Sequence, residues 1–144
     1  MELKIKILDT GLPMPGFAKP GDAGLDLFST VDMEILPGND RKLVPTGIAV
    51  AIPSGYAGLI LPRSGLALNH GITCLNAPGL IDSGYRGEIK CILVNTDREN
   101  SFFVKRGDRV AQLVVTEVPQ INLVPTDELD ATERADNGFG HSGR

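Results

Sequence analysis

An all-β domain with a jelly-roll-like barrel is the fold that this 144-residue sequence predicts. Three observations point there. Apolar residues come in short runs, several alternating with charged residues at the period of a half-buried strand. Gly and Pro, at 17 and 10 residues, are spread evenly, so turns recur along the whole chain. Helical periodicity is confined to Arg63–His70 and roughly Asp127–Arg134, and both stretches are short.

In chain order, Leu3, Ile5 and Ile7 alternate with charged neighbours and read as a first strand. Gly24-Leu25-Asp26-Leu27 is an apolar strand carrying one acid. Val31, Met33 and Ile35 alternate with Asp32 and Glu34. Residues 43–52 and 56–61 are apolar runs split by the turn Pro53-Ser54-Gly55. Residues 79–87, Gly-Leu-Ile-Asp-Ser-Gly-Tyr-Arg-Gly, read as a short strand entering a tight turn. Residues 87–95 and 109–118 are further strands rich in Val, Ile and Leu. After Pro125 the chain turns polar. The expected division is a β domain over 1–125 and a tail over 126–144.

Composition narrows the classes of function. The hydrophobic share of 42% and charged share of 22% are ordinary for a globular domain of this length. A net charge of -4 with no basic stripe argues against polymeric nucleic acid and against an anionic membrane as partners. The opening Met-Glu-Leu-Lys-Ile-Lys has no signal-peptide apolar run, and no stretch reaches spanning length, so a cytoplasmic location is expected. Cys74 and Cys91 form no CxxC and have no His at metal spacing. They read as two buried thiols in a reducing compartment.

Several short motifs carry chemistry. Asp82 is a carboxylate held beside a rigid element, with the aromatic face of Tyr85 three residues on. Arg63-Ser64-Gly65 offers a guanidinium fork, a hydroxyl and outward N–H groups, a phosphate cradle or else a surface Arg and a helix cap. Asp26 inside an apolar strand needs a partner, a basic residue or water around a metal. Gln112 lies among apolar residues, where its amide needs a hydrogen-bond partner. Asn76 reads as a turn residue or as a reader of a base edge. His70 and His141 lack a second ligand at metal spacing and read as polar loop residues. The tail from Arg134 to Arg144 sets Phe139 among glycines, which reads either as a frayed end or as a lid ordered by a ligand.

Taken in order, five motifs resemble those of the trimeric deoxyuridine triphosphatases. They are Asp22-Ala23-Gly24-Leu25-Asp26-Leu27, Pro62-Arg63-Ser64-Gly65-Leu66-Ala67, Gly79–Gly87, Arg106-Gly107-Asp108-Arg109-Val110-Ala111-Gln112-Leu113 and the Arg134–Gly143 tail. Each is weak alone, and the ordered set is specific. The resemblance implies a jelly-roll-like homotrimer with sites between subunits. It implies conversion of dUTP and water to dUMP and pyrophosphate with Mg²⁺. Asp82 would be the general base for in-line attack of water on the α-phosphorus. Arg63, Ser64, Gly65 and Gln112 would meet the phosphates, and Asp26 would reach Mg²⁺ through water. Asn76 and the main chain of Gly79, Leu80, Ile81 and Lys90 would pair with uracil. Tyr85 would lie beneath the deoxyribose and leave no room for a 2′-hydroxyl. Phe139 would stack on the base, Arg134 would reach the γ-phosphate, and Gly140, His141 and Ser142 would close around it.

The chain departs from the family's pattern at Gly84, where a second acid is frequent, and at Ala135 and Asn137, where Gly is usual. Two other readings use the same scaffold. A dCTP deaminase shares the Ile-Asp-x-Gly-aromatic turn, but its catalytic Glu would fall at Ile92, which cannot move a proton. A non-catalytic nucleotide-sensing module is favoured by loss of Asp82 or of the tail, and both are present.

Overall fold

The computed structural model describes residues 1–132 and 135–136. Its strands are β1 (Lys4–Ile7), β2 (Leu25–Phe28), β3 (Met33–Ile35), β4 (Arg41–Ala51), β5 (Tyr56–Leu61), β6 (Ile72–Cys74), β7 (Gly79–Ile81), β8 (Glu88–Asn95), β9 (Phe102–Val104) and β10 (Arg109–Glu117). A single helix among the described residues, α1 (Ser64–His70), comes after β5. The stretch that reads as helical from Asp127 forms no helix through residue 132. Its apolar residue Leu129 is exposed, and without a surface to cover, a short helix does not sustain itself. Among the described residues, no helix is long and apolar enough to cross a membrane.

The strands form two four-stranded sheets, ordered β1-β4-β8-β6 and β2-β10-β5-β7, and a β3-β9 ribbon. Every pairing is antiparallel. The nearly all-β, jelly-roll-like expectation therefore holds, although the sheets do not close into a continuous barrel. The period-2 pattern explains the core. In β8, Ile89, Cys91 and Leu93 are buried while Lys90 is exposed. Across the sandwich they meet Leu27, Ile60, Val110 and Leu113 of the second sheet. Leu27, Ile89, Leu93 and Leu113 are almost wholly buried. Each contributes about 1.5–3 kcal/mol relative to exposure.

Two irregular features shape the surface that the strands present. The first is a bulge in β4. Pro45 pairs with Lys90 and Ala49 with Glu88, so residues 46–48 face Ile89 alone. Pro45 has no N–H to give a ladder, and Gly47 takes φ 70, a left-handed value that suits glycine. Side chains replace the missing ladder bonds. The Thr46 hydroxyl donates to the Ile89 carbonyl at 2.7 Å, and the Gly47 N–H donates to Glu88 Oε1 at 2.9 Å. The Gly47 carbonyl in turn accepts the N–H groups of Leu8 at 2.8 Å and Asp9 at 3.1 Å.

The second feature is Asn95, fully buried at the end of β8. Its amide nitrogen donates to the carbonyls of Ile35 (3.1 Å) and Asn100 (2.9 Å), and its oxygen accepts the Asp97 N–H at 3.0 Å. One side chain thereby joins the β3 strand to the loop after β8, with its polar atoms satisfied.

Cys74 and Cys91 are buried free thiols. Burial pushes the Cys74 thiol up to about 11, and burial together with Cys74 pushes Cys91 up to about 12. The reactive thiolate is therefore scarce at pH 8. Iodoacetamide at pH 8 is expected to label the native protein far more slowly than the urea-unfolded chain, measured as alkylated mass against time.

Candidate functional site

β10 is the organising strand of the second sheet. It lies between β2 and β5, and Gln112 stands level with Asp26 on one side and Leu61 on the other. This register brings three distant motifs to one place. β5 runs out through Pro62 to Arg63, which keeps an extended φ of -94° before α1 begins. Arg63 Nε lies 3.5 Å from Asp26 Oδ1, and Arg109 Nη1 lies 3.2 Å from Asp26 Oδ2. Arg63 Nη1 also donates to the Arg109 carbonyl at 3.0 Å. Asp26 thus finds the basic partner that a half-buried acid requires. One carboxylate thereby holds two guanidinium groups side by side.

Gln112 donates through Nε2 to the Pro62 carbonyl at 3.0 Å. Its position depends on Gly24. A Cβ there would stand 2.6 Å from Gln112 Oε1 and 3.3 Å from its Cβ, closer than packing allows. These residues border a cavity of about 500 Å³ that also takes in Asp22, Ser64 and Gly65. Arg63 gives α1 no side-chain cap. The first N–H groups of the helix, at Ser64 and Gly65, therefore have no intrahelical partner and suit an anion. Among the described residues, no three His, Cys, Asp or Glu side chains gather into a metal cage. Asp26 already faces two arginines. This donor set fits a hard cation that arrives with its own water and phosphate ligands, and it does not fit a bare ion.

The other predicted residues lie around β7 of the same sheet and at the start of β8 of the other. Asp82 comes directly after β7 and is exposed at the start of a turn, in which the Tyr85 N–H donates to the Asp82 carbonyl at 3.0 Å. The Tyr85 hydroxyl donates to the Glu88 carbonyl at 3.0 Å. Its ring lies over Gly87, where a Cβ would come within 2.6 Å of the ring carbon Cζ. Leu80, Ile81, Asp82, Tyr85 and Lys90 border a second cavity of about 400 Å³, with Leu43 and Glu88. Asn76 sits in the exposed turn before β7, next to the cis Ala77–Pro78 peptide. Gly79 beside it packs closely on β5, where a Cβ would stand 3.2 Å from the Cβ of Ile60.

The two cavities are far apart on one chain. Ile81 pairs with Gly58 and Gly79 with Ile60, so Asp82 continues to the level of Ala57, whereas Arg63 lies beyond Leu61. Six residues of extended chain separate those levels, roughly 20 Å along the strand. Arg134, Phe139, Gly140, His141 and Ser142 lie outside the described residues. Ala135 is described and takes φ 46, a left-handed value in which a glycine would be unstrained. The space around Gly84 is open, so packing does not force glycine there.

Arg109 is the site residue that sequence reasoning left without a role. Its signal was present: a charged residue opening the strand that carries Gln112. Gly24→Ala is expected to push the Gln112 amide off the Pro62 carbonyl, costing about 1 kcal/mol. Urea denaturation would read this as a lower midpoint with an unchanged slope.

The family model for dUTPase matches residues 11–143. A deoxyuridine 5'-triphosphate nucleotidohydrolase of Corynebacterium efficiens is 51% identical over 142 residues, covering 99% of this chain and 78% of that protein. One from Mycobacterium bovis is 51% identical over 146 residues, covering 98% of this chain and 94% of that protein. A solved structure of the Staphylococcus bacteriophage 80alpha dUTPase G164S mutant with dUpNHpp superposes with a TM-score of 0.89. It is 27% identical and covers 99% of both chains.

Proposed function

The chain belongs to the dUTPase family, and from that premise we propose that it is a dUTP diphosphatase, converting dUTP and water to dUMP and pyrophosphate. The observation that carries the detailed reading is the separation of the motifs on one sheet. The Arg63 cavity offers cationic and N–H donors for phosphates, and the Asp82 cavity offers a carboxylate, an aromatic ring and a hairpin main chain. A base acting on the α-phosphorus must stand within hydrogen-bond reach of the attacking water. A gap of roughly 20 Å along the strand prevents one chain from supplying both groups to one nucleotide. A neighbouring copy completes the site, which supports a homotrimer with sites between subunits.

In this reading Asp82 takes the proton of a water that attacks the α-phosphorus in line. The bond to the bridging oxygen breaks, and pyrophosphate leaves. Arg63, Ser64, Gly65 and Gln112 hold the phosphates, and Arg109 adds a second guanidinium beside them. Asp26 keeps both guanidinium groups aimed at the cavity. Rate enhancement then comes mainly from positioning and from charge placed in advance. Mg²⁺ on the triphosphate neutralises phosphate charge when bound, and Asp26 would meet it through water. Uracil pairs with Asn76 and with the main chain of Gly79, Leu80, Ile81 and Lys90. Cytosine leaves those groups unpaired and is rejected. Tyr85 forms the floor for deoxyribose. Residues 126–144 act as a tail over a neighbouring site, with Phe139 on the base and Arg134, Gly140, His141 and Ser142 around the terminal phosphate. The reaction supplies dUMP for thymidylate synthesis, and removal of dUTP keeps uracil out of DNA.

The test is incubation with Mg²⁺ and each deoxynucleoside triphosphate, then chromatography of the products. dUTP alone is expected to yield a monophosphate and pyrophosphate. Deamination of dCTP would instead favour the deaminase reading, against which Ile92 stands half-buried on β8 with no proton to move. Asp82→Asn is expected to retain nucleotide binding while kcat falls by roughly 10²–10⁴. Near-normal turnover would remove Asp82 as the base. Light scattering is expected to give three times the chain mass, and a stable active monomer would contradict the shared site.

A further inference from the structure

We propose that Glu88 is a positioning residue for sugar discrimination, acting through the β4 bulge on one side and Tyr85 on the other; this rests on the dUTPase reading. Glu88 opens β8 where the ladder to β4 breaks. Three contacts meet on it. Its Oε1 accepts the Gly47 N–H at 2.9 Å. Its Oε2 lies 3.7 Å from Lys90 Nζ. Its carbonyl accepts the Tyr85 hydroxyl at 3.0 Å.

In a regular sheet, ladder bonds on both sides of residue 88 would fix the direction of its carbonyl. Here Glu88 keeps Ala49 as its partner, but the slip between Ala49 and Pro45 breaks the ladder on its Ile89 side, where the carboxylate grips the bulge. Gly47 is buried, and its carbonyl is already committed to Leu8 and Asp9 in the loop after β1. The bulge is therefore a fixed anchor, and Glu88 is the tie between it and the hairpin. Tyr85 depends on that tie. Its ring rests on Gly87, and its hydroxyl is held by the Glu88 carbonyl. If the start of β8 loosens, the ring that excludes a 2′-hydroxyl shifts. Steric exclusion falls off steeply with distance, so discrimination suffers before chemistry at the phosphorus does.

The readout is the ratio of kcat/KM for dUTP to that for UTP. Glu88→Ala is expected to lower this ratio by roughly tenfold, with kcat for dUTP largely kept. Glu88→Gln keeps an acceptor for Gly47 and is expected to stay near wild type. Tyr85→Phe removes the same link from its other end and is expected to lower the ratio similarly. The double variant Glu88→Ala/Tyr85→Phe is expected to lower it no further, since both act on one link. An unchanged ratio in Glu88→Ala, independent addition of the two effects, or a Glu88→Gln as impaired as Glu88→Ala overturns the proposal. A merely structural role would lower the melting temperature and leave the ratio alone. If Glu88→Ala does not fold, Tyr85→Phe decides, and an unchanged ratio there overturns the proposal. Wild-type protein that fails to prefer dUTP over UTP would point instead to failure of the dUTPase reading itself.

Discussion

The position of β10 between β2 and β5 is the constraint on which the phosphate-facing half of the molecule depends. Through it, residues more than eighty positions apart come within ion-pair distance, as Asp26 and Arg109 do. The strand has two tasks. Val110, Ala111 and Leu113 face the core and hold the sandwich together, while Gln112 turns to the cavity and fixes Pro62. A strand anchored by buried neighbours can carry polar side chains at defined positions, which a loop cannot do as well. Gly24 belongs to the same device, because any side chain there would displace the amide.

The hairpin half is built on a different principle. Its geometry comes from an interruption of the β4–β8 ladder, and side chains of Thr46 and Glu88 take over the missing bonds. Bulges bend a strand and re-aim its side chains. The turn before β8 carries Asp82 and Tyr85 at the surface, while the start of β8 stays tied to the core through Ile89. Asn95 closes the far end of β8 with a buried and fully bonded amide. The long strand is thus secured at both ends, which leaves Lys90 and its neighbours in a stable register.

Much of this was legible in the sequence. Alternation marks β1 and β3, runs rich in Val, Ile and Leu mark β8 and β10, and the Pro53-Ser54-Gly55 turn separates β4 from β5. The carboxylate inside an apolar strand at Asp26 calls for a partner, a basic residue or water around a metal, and the fold supplies two arginines. Pairings set by register were hidden. Nothing local says that Arg109 will face Asp26 or that Glu88 will reach Gly47. The β4 bulge read as an unbroken apolar run, yet Pro45 and Gly47 together were its mark, since neither suits the interior of a regular strand. The segment from Asp127 shows the opposite failure. Its local pattern allows a helix, but its apolar residue finds nothing to cover.

The separation of the Arg63 and Asp82 cavities along one sheet has a genetic consequence. On the proposed assembly, a chain damaged at Arg63 still lends an intact Asp82 hairpin to its neighbour, and a chain damaged at Asp82 still lends an intact cradle. Two inactive alleles expressed together would then rebuild a fraction of whole sites in mixed assemblies. Two lesions on the same allele would rebuild none beyond those of the healthy copies. The unit of inheritance and the unit of catalysis are different objects in such a protein, and the roughly 20 Å between the two cavities along the strand is what divides them.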